Sequence, residues 1–123
     1  MTSPVTTMTL GEVAHAARAV WKGPDIQGKP FGGVSTDTRT LQQGEVFVAI
    51  DGEQFDGHRF VADAFGAGAT AALVRHDRVD DLSLSLQNRS PDQKPSLMAV
   101  DDPLRALGRI ARHYRRGFSG PVV

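Results

Sequence analysis

The spacing of apolar positions changes several times along the chain, and each change predicts an element. Leu10, Val13, Ala14, Ala17 and Val20/Trp21 recur at three- and four-residue intervals behind Thr9-Leu10-Gly11-Glu12, which has the form of a capping box. The spacing predicts a first helix of about ten residues, stopped by Gly23-Pro24. Gly28 to Gly33 reads as a loop into a short segment at Val34, and Asp37-Thr38-Arg39 falls at the end of that segment. Val46-Phe47-Val48-Ala49-Ile50 is a continuous apolar run between Gly44 and Asp51-Gly52, the pattern of a strand buried on both faces. Helical spacing returns in Phe60, Val61, Ala64 and Phe65, with Asp56 as candidate cap and Gly66 or Gly68 as stop. Ala71 to Val74 is a third strand, so strand, helix and strand make a right-handed parallel βαβ crossover.

From Arg75 to Pro95 the chain turns polar and reads as a surface excursion, in which the alternating Leu82, Leu84 and Leu86 would form a short edge strand. Leu97 to Val100 is a further strand. Asp102 and Pro103 are the expected cap and first residue of a last helix. Leu104, Leu107, Ala111 and Tyr114 form the expected buried stripe of that helix, and Arg105, Arg109, Arg112 and Arg116 a second one, with Arg115 and Arg116 suited to the dipole of the last turn. The sum is one α/β domain over residues 1–123, a small sheet with a parallel βαβ unit and flanking helices.

Composition narrows what such a domain does. Hydrophobic residues make up 40% and charged residues 23%, a globular balance that disfavours wholesale disorder. Fourteen Lys and Arg offset fourteen Asp and Glu, leaving no basic excess for a nucleic-acid backbone, so the expected partner is a small molecule. With no cysteine, disulfides, thiolate zinc sites and a cysteine nucleophile are all excluded. No apolar run is long enough for a membrane span and Met1 to Leu10 lacks the regions of a signal peptide, so the expected location is the cytoplasm, with no membrane partner.

Two stretches concentrate chemistry. Ser35-Thr36-Asp37-Thr38-Arg39 gathers hydroxyls, backbone amides and a guanidinium at a strand-to-loop junction, a set that suits the oxygens of a phosphate. The same residues also make an ordinary solvated turn, with Asp37 bonding its own backbone. Asp51-Gly52-Glu53-Gln54-Phe55-Asp56-Gly57-His58 follows a buried strand, on the side where α/β sheets bind ligands. Phe55 could stack on a flat ring there, with Glu53 or Gln54 reading its polar edge, although a glycine-punctuated turn plus a helix cap explains the stretch slightly better. The four histidines, His15, His58, His76 and His113, lack the paired spacing of a zinc site, so no metal is expected. Ser35 or Ser119 with His58 supplies the residue types of a triad but no nucleophile elbow, and Gly28-Lys29-Pro30-Phe31-Gly32-Gly33 does not match a phosphate loop.

The ordered blocks Val34-Ser35-Thr36-Asp37-Thr38-Arg39, Gly44 to Glu53, Phe55-Asp56-Gly57-His58-Arg59-Phe60, Ala71-Ala72-Leu73-Val74 and Val100-Asp101-Asp102-Pro103-Leu104 resemble the N-terminal domain of the Mur ligases. The resemblance implies ATP-dependent amide formation on peptidoglycan precursors, with the substrate carboxylate activated as an acyl phosphate. Within the family, Gly52-Glu53 with Phe55-Asp56-Gly57-His58 and the ending Arg115-Arg116-Gly117-Phe118-Ser119-Gly120-Pro121-Val122-Val123 are most like the ligase that joins D-alanyl-D-alanine to UDP-N-acetylmuramoyl-tripeptide. The ligase that adds the third amino acid is the runner-up. The resemblance makes Thr36 and Thr38, with Ser35 beside them, candidate contacts to the uridine nucleotide, Thr38 standing in place of the family's serine, makes Arg39 a charge partner or a brace for that loop, and, by way of the ligase that adds the third amino acid, carries further contacts onto Glu53, Gln54 and Phe55. It places ATP and Mg2+ in domains beyond Val123, so the fragment is expected to hold no catalytic residue and no cofactor and to be inactive alone. The rival expectation is a stand-alone binding or interaction domain that reuses the fold.

Overall fold

The computed structural model describes residues 9–24, 26–52, 56–89 and 96–117. They form a five-stranded sheet of order β1-β5-β4-β3-β2, built from β1 (Val20–Lys22), β2 (Val34–Ser35), β3 (Val46–Val48), β4 (Ala71–Arg75) and β5 (Leu97–Val100). Strands β2 to β5 are mutually parallel, and β1 joins β5 antiparallel at the edge. Helices α1 (Leu10–Ala17) and α4 (Pro103–Gly117) pack on one face, and α2 (Val61–Gly66) and α3 (Val79–Arg89) on the other.

The period of two in the strands explains the three layers. Val46, Val48, Leu73, Met98 and Val100 point to the α1/α4 side, whereas Phe47, Ala72, Val74, Leu97 and Ala99 point to the α2/α3 side. Both faces are apolar because both are covered. The expected α/β architecture, with its parallel strand-helix-strand unit, is therefore present.

Four local expectations are corrected. The first helix ends at Ala17, because Arg18 adopts the left-handed conformation (φ 59°) and sends its N–H back to the carbonyl of His15. Val20 and Trp21, expected on that helix, instead pair with Ala99 and Met98 in β1. The supposed edge strand at Leu82, Leu84 and Leu86 is part of α3, which buries Val79, Leu82 and Leu86 at spacings of three and four and leaves Leu84 62% exposed. In α4 the buried positions are Ala106 and Ile110 with Leu107 half-buried, while Leu104 is 60% exposed and Ala111 also faces solvent. That stripe is rotated because the first turn seats Pro103 against the protein, which turns Leu104 outward. The side chains of Tyr114, Arg115 and Arg116 lie outside the described residues. Finally, Asp56 caps a 3-10 turn (Gly57–Phe60) rather than an α-helix, and the tighter turn changes the phase before α2 begins.

The other two expected caps hold. Thr9 Oγ1 accepts from Glu12 N at 3.2 Å while Glu12 returns a carboxylate oxygen to Thr9 N, and Asp102 Oδ1 accepts from Leu104 N at 3.0 Å.

Candidate functional site

Parallel strands align their carboxyl ends, and the connections leaving β2, β3, β4 and β5 gather on that edge. After β2 the chain folds into a compact turn. Ser35 Oγ donates to Asp37 O at 2.9 Å and accepts from Asp37 N at 3.1 Å, so its hydroxyl is used inside the loop. Asp37 Oδ1 accepts from the backbone N–H of Arg39 at 2.9 Å and from its Nε at 3.1 Å, and Asp37 Oδ2 accepts from Arg39 Nη2 at 2.9 Å. The hydrogen bonds from Arg39 hold the Asp37 carboxyl below its ordinary range, and Asp37 in turn raises the guanidinium, so both stay charged.

Pairing through Nε and Nη2 leaves the Nη1 edge of Arg39 without a hydrogen bond to any described residue, on a side chain that is 86% exposed. The hydroxyls of Thr36 and Thr38 are likewise unbonded among the described residues. These groups line one cavity of about 460 Å³ with Asp37 and with Phe60 from the turn after β3. The arrangement offers hydroxyls, an unspent cationic edge and an aromatic ring together, which is donor chemistry for an anionic ligand that also carries a flat group.

Beside this cavity the loop leaving β3 is fastened at its neck. Asp51 and Asp56 form a bridge, and Gly57 N donates to Ile50 O at 2.7 Å. Gly57 has no substitute there, because a Cβ would lie 2.8 Å from Ile50 N and 2.9 Å from Ile50 O. His58 is buried, and its Nδ1 faces Asp56 Oδ1 at 2.8 Å while its Nε2 accepts the backbone N–H of Arg75 at 3.0 Å. Arg78 Nη1 holds the second Asp56 oxygen at 2.8 Å, and the Arg75 guanidinium binds both Asp51 and Asp77. Burial pushes the Asp56 carboxyl up, but hydrogen bonds from Arg78 and His58 outweigh it and bring the pKa down to about 2. His58 is thus a brace and no part of a hydrolytic triad.

Four of the seven sequence-derived site residues sit together, Ser35 at the end of β2 and Thr36, Thr38 and Arg39 in the turn that follows, and these last three line the cavity. Glu53, Gln54 and Phe55 lie outside the described residues. Sequence reasoning missed Phe60, whose helical spacing with Ala64 suggested the core, and it missed Arg75 and Arg78, whose roles depend on pairing across the sheet. A second cavity, about 540 Å³, brings His15 and His113 to one lining with Glu12, but no group of three His, Asp or Glu among the described residues could hold a metal.

A family model described as "Mur ligase family, catalytic domain" matches residues 30–115, which include the whole of this loop and cavity. The chain belongs to the Mur ligase family. Among relatives, the UDP-N-acetylmuramoyl-tripeptide--D-alanyl-D-alanine ligase of Bacillus subtilis is 37% identical over 115 residues, covering 94% of this chain and 23% of that protein. The UDP-N-acetylmuramoyl-L-alanyl-D-glutamate--2,6-diaminopimelate ligase of Lawsonia intracellularis is 34% identical over 92 residues, covering 73% of this chain and 17% of that protein. A solved structure of MurF from Acinetobacter baumannii matches with a TM-score of 0.66 at 29% identity, over 93% of this chain and 22% of that one. The chain therefore spans about a quarter or less of the length of these Mur ligase relatives.

Proposed function

We propose that this chain is the N-terminal, uridine-diphosphate-binding domain of a UDP-N-acetylmuramoyl-tripeptide:D-alanyl-D-alanine ligase in the cytoplasm. The observation that carries the reading is the single cavity in which Thr36, Thr38, the unused edge of Arg39 and Phe60 meet at the carboxyl end of parallel strands. Ligands of this chemistry combine a diphosphate with a flat base, and the MurF-like relatives act on a substrate named for that nucleotide. In the whole enzyme the reaction is ATP-driven amide formation with D-alanyl-D-alanine. We assign ATP and Mg2+ to other parts of the enzyme, a reading supported by the glycine-rich stretch Gly28-Lys29-Pro30-Phe31-Gly32-Gly33, which does not match a phosphate loop. No catalytic group is assigned to this domain.

The test is a calorimetric and NMR titration of the 123-residue chain. UDP-N-acetylmuramoyl-tripeptide should bind in preference to ADP, with perturbed amides at residues 36–39. Preference for ADP, or perturbation confined to residues 76–89, would refute the assignment. A second reading, the ligase that adds 2,6-diaminopimelate, is favoured by the 34% identity to the Lawsonia enzyme. Assay of the full-length protein with each amino component separates the two.

A further inference from the structure

His58 is 2% exposed, and both nitrogens of its ring are occupied. Strand β3 runs beside β4 only as far as the Val48–Leu73 register, and beyond it the ring takes the missing strand's place, its Nε2 accepting the backbone N–H of Arg75 at 3.0 Å. Nδ1 faces Asp56 Oδ1 at 2.8 Å. The charged groups tied to this pair are Asp51 and Asp56 from the neck of the β3 connection, Arg75 from β4, and Asp77 and Arg78 from the 3-10 turn His76–Arg78. Arg59 in the same turn as His58, Asp63 on α2 and His76 are exposed. Burial raises the Asp56 carboxyl, but hydrogen bonds from Arg78 and His58 outweigh it and hold its pKa at about 2, so it accepts the Nδ1 proton throughout the range in which histidines titrate. A second proton on the ring therefore has one place to go, which is Nε2.

We propose that His58 is a proton-operated latch between the end of β4 and the turn after β3, closed while Nε2 is unprotonated and open once it carries a proton. An imidazolium bears N–H on both nitrogens, so two donors would face each other across 3.0 Å and the Arg75 N–H would lose its acceptor. The turn itself stays tied, since His58 N still donates to Asp56 Oδ1 at 3.0 Å and Gly57 N to Ile50 O at 2.7 Å. What opens is the seam between the two connections. Because the turn Gly57–Phe60 ends at a residue lining the cavity of Thr36 to Arg39, acid loosens one wall of that cavity from β4. The latch does not depend on which ligand the cavity receives.

The experiment follows the parent chain by nitrogen-15 NMR from about pH 8 to about pH 5, the interval in which histidine changes charge. The His58 Nε2 resonance should move to its protonated position, and the Arg75 amide proton should shift upfield with the same midpoint. The protection factor of that amide against hydrogen exchange should fall on the order of ten- to a hundredfold, as the loss of one buried hydrogen bond requires. The Gly57 amide and the far-ultraviolet circular dichroism should hold. His58→Gln carries an acceptor of similar reach and does not titrate, so its Arg75 amide should stay level with pH, whereas His76→Asn should behave as the parent does. The latch is wrong if Nε2 is still unprotonated at about pH 5, or if it gains a proton while the Arg75 amide keeps its shift and protection. Unfolding of the whole chain before that amide moves, or a pH-dependent Arg75 amide in a folded His58→Gln, would overturn it as well.

Discussion

The backbone N–H of Arg75 points at Nε2 of His58 from 3.0 Å, joining the end of β4 to the turn after β3. A donor aimed at that nitrogen requires its lone pair, so the imidazole proton sits on Nδ1, which meets Asp56 Oδ1 at 2.8 Å. One buried ring therefore ties two neighbouring connections together, and the cavity wall at Phe60 follows two residues later.

Removing that ring should be costly. His58→Ala leaves the Arg75 N–H and one face of Asp56 unpaired in a space the side chain had filled, a loss of about 2–4 kcal/mol in denaturant unfolding. Nitrogen-15 NMR of the parent imidazole should report a protonated Nδ1 and an unprotonated Nε2. The opposite tautomer would contradict the hydrogen-bond assignment.

Asp56 gives an acid-stability signature. Its folded pKa of about 2 is below the ordinary 3.8, so it contributes stability that is present above about pH 4 and is lost as pH falls toward about 2. Asp56→Asn should lower the unfolding midpoint at neutral pH and flatten the acid limb in that window. Part of the limb should remain, because hydrogen bonds from Arg109 hold Asp101 near the same value. Parallel acid limbs for the two proteins would remove Asp56 from the account.

Leu82 and Leu84 separate a helix from a strand at α3. In an edge strand they would share a face and respond alike, whereas here Leu82 is buried and Leu84 exposed. Leu82→Ala should cost about 2–3 kcal/mol and Leu84→Ala less than about 0.5 kcal/mol in urea unfolding. Equal losses would restore the strand.

Gly57→Ala tests the neck directly. The added methyl would overlap Ile50 backbone atoms at 2.8 and 2.9 Å, and neither can move without disturbing the end of β3. Destabilisation of about 2 kcal/mol or more is expected by thermal or chemical unfolding. Gly66→Ala, where a Cβ meets nothing within 4 Å, is the control.

How much of this was legible beforehand follows from the kind of signal each element carries. The strands at Val46 and Ala71 and the caps at Thr9 and Asp102 announce themselves locally, through apolar runs and side chains that bond their own backbone. Residues 79–89 did not, because Leu82, Leu84 and Leu86 satisfy a period of two while only Val79, Leu82 and Leu86 meet the core. Arg18 hid the end of α1, since a left-handed non-glycine residue has no sequence mark as clear as glycine. The loop at Thr36 to Arg39 was visible as chemistry, but Phe60 was not, because a 3-10 turn set its direction. Arg75 and Arg78 acquire partners twenty or more residues away, and no spacing along the chain announces such pairs.

The central claim is that the unused edge of Arg39 and the neighbouring hydroxyls receive a uridine diphosphate. Its most direct measurement is the affinity of UDP-N-acetylmuramoyl-tripeptide for the parent chain, Arg39→Ala, Arg39→Lys and the control Arg112→Ala. The Asp37–Arg39 pair is exposed and worth little to stability, so Arg39→Ala should stay folded. A charge-assisted hydrogen bond contributes about 1.5–3 kcal/mol, so Arg39→Ala should bind on the order of ten- to a hundredfold more weakly, Arg39→Lys should recover part of the loss, and Arg112→Ala should bind as the parent does. A folded Arg39→Ala with parental affinity would contradict the claim and leave residues 35–40 as a solvated turn.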